Sequence, residues 1–362
     1  MEDGFIKPVW EHATSRYQCV TLGLVDELQT DFFAGRELGS RVPGISHEMA
    51  AVIVAETLEA DRIINLPPEQ FLSGTAKSNQ MSDFKRAALA EILFIVVEEA
   101  QKTGDKESEQ TYWALAMASL EEILRSPVAS PLLWYEDIFW NVVEAIPESD
   151  NDKALYWLKC GLAHNLHHHD GNNAIPFLHD IATTHLAMKD LDQGLRIFTA
   201  LLRHDPSEIW TYNEMAISCR DRGLTRLGAE AAQHGLDLIS SKGDPERLRQ
   251  QLKDCLHTMH TSKFQGQEAM VAPSVLADLN AALALGFNNG AHRPLGLLCR
   301  SVVPDLDQMP LKRPMKPSDF PLPNRESSLK QLVSLAAAPW PESSKEQDSE
   351  IRSKRKRHKR KS

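Results

Sequence analysis

From residue 83 to about residue 260 the chain repeats a pair of amphipathic segments joined by a short polar turn, and this periodicity limits the fold more than any other property of the sequence. Apolar residues recur three and four positions apart, the spacing of one helix face, and no stretch alternates like a strand between hairpin turns. An all-α chain is expected. In residues 175–208, Leu178, Ile181 and Ala182 form one face, Lys189 and Asp190 the turn, Gly194, Phe198 and Leu201 the next face, and Pro206 ends the unit. Residues 209–242 follow without a gap and repeat the layout 34 positions on, with Tyr212, Met215, Ala216, Cys219, Gly223, Gly228 and Ala232. Residues 135–168 supply another unit through Ile138, Val142, Ala145, Ala154, Leu158 and Gly161, with the polar Asn141 at a core position and a six-residue insertion, 169–174, behind it. Residues 90–124 are a looser relative whose second helix is displaced by about one turn. A single pair cannot bury its own apolar faces, so such units must stack.

This pattern resembles the tetratricopeptide repeat, a helix-turn-helix of 34 residues. Its habitual positions fall on Leu178, Ile181, Ala182, His185, Lys189-Asp190, Gly194, Phe198, Leu201 and Pro206, with His185 in place of an aromatic, Lys189 in place of Gly and Leu201 in place of Ala. The small residues Ala182 and Ala216 stand one period apart, where two helices must approach closely. The resemblance implies an α-solenoid whose first helices line a groove for an extended peptide or a partner helix. On this register the groove would be lined by Glu136, Phe139, His179, Thr183, Trp210, Asn213, Ile217, Arg220 and Asp221. Only Asn213 and Arg220 suit capture of a C-terminal carboxylate, so a partner anchored by apolar side chains is expected, with Trp210 as its anchor point. The plainer alternative is that Trp210 packs against the neighbouring repeat or the capping helix.

Four regions follow: residues 1–82, an N-terminal helical segment with a linker; 83–260, the repeats and a capping helix; 261–290, a short helical segment; and 291–362, a Pro-rich disordered linker with a basic tail. Nine of the 20 prolines lie between Pro294 and Pro341, a density that denies helical hydrogen bonds and favours extended chain.

Charge is distributed unevenly. The net charge is −10, yet the last eleven residues hold eight Lys or Arg and no acid, so the preceding 351 residues carry −18. Such a body repels phosphate, whereas Arg352, Lys354, Arg355, Lys356, Arg357, Lys359, Arg360 and Lys361 form a compact polycation suited to nucleic acid, an acidic protein or an import receptor. No aromatic residue is interleaved for base stacking. The longest apolar runs reach seven residues, short of the 18 or more of a bilayer span, so no membrane is expected. Five cysteines without a C-x-x-C pair, and an acidic start without an apolar leader, suggest a reducing compartment, cytoplasmic or, in a eukaryotic host, nuclear.

No phosphate-binding glycine loop, nucleophile elbow or paired-His metalloprotease helix is present, and no cofactor is implied. The run His164, His167, His168 and His169 is the more suggestive of two clusters, the other being Cys255, His257 and His260: His164 and His168 lie a turn apart, a spacing that can hold Zn²⁺, with Asp170 or His204 as a third ligand. The favoured reading is a surface cap at a helix C-terminus, leaving the metal-binding residues at none. Cys160 and Cys219 read as packing residues. The expectation is a non-enzymatic scaffold or adaptor, with a nucleic-acid-associated factor led by the tail as the alternative and a metal-dependent enzyme third.

Overall fold

The computed structural model describes residues 83–130, 133, 135–242, 246–261, 267–287, 289–314 and 316. The helices expected within residues 1–82 and the basic tail lie outside the described residues. Those described form eleven α-helices and two short strands, the all-α architecture required by the periodicity. Contacts group the chain into two units, Met1–Trp134 with Arg313–Ser362, and Tyr135–Lys312.

In the first unit α1 (Asp83–Thr103) packs along α2 (Lys106–Arg125). Leu93, Val97 and Ala100 of α1 and Ala116, Leu120 and Ile123 of α2 are buried, and Phe94 meets Trp113 edge-on at 5.5 Å. Each large aliphatic side chain buried this way contributes about 1.5–3 kcal/mol. The Asp105 carboxylate accepts the Ser108 N–H at 3.1 Å and so caps α2. β1 (Val128–Ala129) pairs in parallel with β2 (Arg313–Pro314), the Arg313 N–H donating to the Pro127 carbonyl at 2.9 Å.

The second unit holds α3 (Tyr135–Ala145), α4 (Asn151–His168), α5 (Ala174–Ala187), α6 (Leu191–His204), α7 (Ile209–Asp221), α8 (Thr225–Lys242), α9 (Glu246–Thr261), α10 (Pro273–Leu283) and α11 (Leu295–Val302). Helices α3 to α9 each pack on the next, and α5 also packs on α7. Phe177, Phe198 and Tyr212 are fully enclosed between them.

The turns explain the period. After α5 the Lys189 N–H donates to the Leu186 carbonyl and the Asp190 N–H to that of His185. After α7, 34 residues on, the Gly223 N–H donates to Arg220 and the Leu224 N–H to Cys219. The α1–α2 turn repeats the scheme, Gly104 to Gln101 and Asp105 to Ala100. All three are Schellman turns, which need one left-handed residue: φ is 76° at Gly104, 70° at Gly223 and 65° at Lys189. A side chain in that conformation costs roughly 1 kcal/mol or more, so Lys189 adopts the turn at a penalty that the glycines escape. The Asp190 carboxylate then accepts the Gln193 N–H at 3.4 Å and caps the start of α6.

Close helix approach follows the same period. A Cβ at Gly194 would lie 2.8 Å from the Ala182 carbonyl oxygen and 2.7 Å from Leu186. At Gly228 it would lie 3.2 Å from the Ala216 carbonyl oxygen and 2.5 Å from the Met259 sulfur.

Beyond α9 the chain turns back as a strap across the second helices of the pairs. Glu268 accepts the Arg226 N–H at 2.8 Å at the start of α8, and the Ala272 N–H donates to Asp192 at 2.9 Å at the start of α6. α10 lies on α6, and α11 on α5 and α6. Gln193 Nε2 donates to the Val302 carbonyl at 2.6 Å, and Lys159 of α4 pairs with Asp305 at 2.7 Å. This corrects the expectation that linker begins at residue 291: Leu298, Cys299, Val302, Val303 and Leu306 are buried. The prolines bound the helix instead of dissolving it, Pro294 standing at the N-cap of α11 and Pro304 just after its C-cap, Val303.

Candidate functional site

Eight of the nine residues expected along the groove divide into two sets, and the ninth, Thr183, is half-buried between them. Glu136, Phe139, His179 and Asn213 are buried and face neighbouring helices, so they are not groove lining. Polar side chains are tolerated there because most find partners. Asn165 Nδ2 donates to Glu136 Oε1 at 2.8 Å, while Asn165 Oδ1 accepts the Asn173 N–H at 3.2 Å and so fastens the inserted loop to α4. His179 Nε2 lies 3.0 Å from Thr211 Oγ1, and Thr183 Oγ1 lies 2.8 Å from Ser218 Oγ. These are rungs between α5 and α7. Asn213 gives its amide N–H to Glu214 at 3.2 Å, and its buried Oδ1 has no partner among the described residues.

The second set stays open. Trp210 is 52% exposed at the start of α7, so about half of its surface is open to solvent. Ile217 and Arg220 are half-buried, Asp221 is exposed, and Arg220 and Asp221 pair at 2.7 Å. Helical spacing places Trp210, Glu214, Ile217 and Asp221 along one stripe.

Acidic residues on the first helices escaped the sequence reading. Trp140 Nε1 of α3 donates to Asp180 Oδ2 of α5 at 2.9 Å. Burial raises the Asp180 pKa to about 6, the Trp140 hydrogen bond opposes the rise, and Glu214 and Glu144 add to it. Burial raises Glu214 as well. Trp140, Asp180 and Glu214 share one position of the repeat register, at the 40- and 34-residue offsets that the insertion creates, so the signal was present in the alignment of units.

The histidine run is no surface cap at its first member. His164 is buried, its ring centre 5.0 Å from that of Tyr135, 6.1 Å from Phe139 and 4.4 Å from His168. Its Nδ1 has no partner among the described residues, and burial lowers its pKa to about 3, with the neighbouring histidines adding to the effect, so it is neutral at physiological pH. His168 Nε2 lies 3.0 Å from the Lys312 carbonyl and ties α4 to the strap. Among the described residues no three His, Cys, Asp or Glu converge as a metal site.

Cys160, Cys219, Cys255 and Cys299 are buried thiols. Burial pushes Cys160 and Cys255 up to about 11 and Cys299 up to about 12, and it raises Cys219 further. A thiol held protonated is a poor nucleophile. Among the described residues no helix is long and apolar enough to cross a membrane. The basic residues Arg352 to Lys361 lie outside the described residues.

Comparison with protein-family models, with characterised proteins and with solved structures finds no match.

Proposed function

We propose that the chain is a non-enzymatic interaction protein, a tetratricopeptide-like α-solenoid that holds a partner peptide or helix against its first helices. The observation that carries this reading is the half-exposed Trp210 on a stripe with Glu214, Ile217 and Asp221. An indole with one face in water is costly to leave uncovered and is the side chain most enriched at binding hot spots. The two turns that repeat hydrogen bond for hydrogen bond at 34 residues support the repeat assignment. The acids Asp180, Glu214 and Asp221 favour a partner that presents basic groups beside its apolar anchor. The polycationic tail provides a second contact, with nucleic acid, an acidic protein or an import receptor, in a protein of the cytoplasm or nucleus.

The test is nuclease-treated affinity purification from the native host with the full chain, with Trp210→Ala/Arg220→Ala, and with a chain ending at Ile351. A partner that survives nuclease and truncation but is lost from the double variant, with unchanged helicity, supports the groove. A partner retained by the double variant overturns it. Recovery that collapses with nuclease or truncation assigns function to the tail.

A further inference from the structure

The strap and α6 border a half-open cavity of about 520 Å³, a volume typical of small-molecule sites. On the α6 side, Arg196, Thr199, Ala200 and Arg203 stand three and four residues apart and form one stripe, opposite the buried stripe of Leu195, Phe198 and Leu202. α10 and the residue pair behind it supply an aliphatic wall, Val275, Ala281 and Leu285, and α11 adds Leu298. Arg293 enters from the loop before α11, a loop held on the end of α6 by the Ala291 and His292 N–H groups, which donate to the Arg203 and His204 carbonyls at 2.8 and 3.1 Å.

The charge there is opposite to that of the body. Three guanidinium groups line the cavity in a segment of chain that carries −18 before its tail, and Asp278 is the sole acid among the lining residues. Among the described residues Asp278 forms its ion pair with Arg203, at 3.5 Å and with both groups exposed, a separation that contributes little. Arg196 and Arg293 have no hydrogen-bond or ion partner among the described residues, nor does the Asn289 amide beside them. The Thr199 and Ser301 hydroxyls already donate to the Leu195 and Leu298 carbonyls, so the cavity's polar groups without a hydrogen-bond partner among the described residues are the Arg196 and Arg293 guanidinium groups, the Asn289 side-chain amide and Nδ1 of the His204 ring.

We propose that this cavity binds a small phosphomonoester, its phosphate held by Arg196, Arg203 and Arg293 and its short aliphatic body lying on Val275, Leu285 and Leu298. Guanidinium forks match phosphate oxygens two at a time, and a dianion answers a net lining charge that a single carboxylate leaves half-balanced. Among the lining residues the one ring is the His204 imidazole, and no Phe, Tyr or Trp is present for a nucleobase to stack on. The site lies on the second helices and is independent of the partner-binding reading at Trp210.

The experiment is calorimetric titration of the full chain with n-butyl phosphate, inorganic phosphate and pentanoate, each alongside a thermal melt. Saturable one-to-one binding of butyl phosphate is expected, with inorganic phosphate weaker and pentanoate at least about tenfold weaker. Arg196→Gln/Arg293→Gln, two exposed positions whose exchange leaves the melt without ligand unchanged, weakens binding by more than about tenfold. Truncation at Ile351 leaves it unchanged. Absence of saturable binding, equal binding by pentanoate, or binding that survives the double variant and disappears with the tail overturns the proposal. Should the double variant melt early, Arg293→Glu alone, in the loop, carries the same expectation.

Discussion

The two sides of the Tyr135–Lys312 unit are built by different rules. On the first helices, neighbouring elements are joined by short polar rungs between residues about one repeat apart, such as His179 with Thr211 and Thr183 with Ser218. On the second helices the cover comes from the strap, through contacts between residues 42 to 146 positions apart. A repeat can therefore be closed on one side by its own period and on the other by chain that has no period at all.

Removing apolar mass from the strap tests that contrast most severely. Leu298→Ala is expected to cost about 2–5 kcal/mol in a denaturant melt, the range for a buried leucine, whereas a spacer would lose nothing.

The two sides also respond differently to acid. His164 has a folded pKa depressed to about 3 against about 6.5 unfolded, so its contribution is present above the unfolded value and is lost as pH falls. From pH 6.5 to 4.5 this amounts to roughly 2–3 kcal/mol, and His164→Phe should remove it from the pH dependence of urea melts. Asp180 has the opposite sign: its folded pKa, raised to about 6, favours the protonated native state, so its stability falls as pH rises from about 4 to 6. Asp180→Asn keeps an acceptor for Trp140 and should flatten that part of the profile while raising stability at pH 7 by about 1–2 kcal/mol.

Glycines at equivalent positions distinguish neighbours that yield from neighbours that do not. Gly194→Ala drives a methyl against a backbone carbonyl and is expected to cost about 1–3 kcal/mol. Gly228→Ala meets the mobile end of Met259 first and should cost less in the same thermal melt. The smallest effect lies in the turns. Lys189→Gly should gain up to about 1 kcal/mol, and Gly223→Lys should lose a similar amount.

Where sequence and structure agree, the cause is local. Helix starts at Tyr135 and Ile209 coincide with the expected unit starts, and Asp190 caps α6, because periodicity and capping act within a few residues. Lys189 departs from the glycine expected in the turn yet takes the left-handed conformation, since the flanking helices determine it. Errors arose where distant chain decides the environment. His179 occupies a groove position on a single repeat but becomes interior once Thr211 of the next repeat arrives, and Glu136 is held inside by Asn165 of its own hairpin. Pro294 and Pro304 look like breakers until α6 is present for the helix between them to pack on. Arg196 and Arg203 were readable as a polar stripe of α6; the wall facing them comes from residues some 80 to 100 positions later.

The strap has a consequence for synthesis. The hairpins α3–α4, α5–α6 and α7–α8 bring together residues close in sequence and can form as they leave the ribosome, in order and quickly. The Lys159–Asp305 pair joins residues 146 positions apart, and the Cys160–Met309 contact joins residues 149 apart. Until the strap has emerged, α10 and α11 for α6 and the residues up to Lys312 for α4, that side of the second helices lacks its cover. The nascent chain therefore passes through an interval in which its repeats are formed but unsealed, and a holding chaperone would find its target on the second helices during that interval alone.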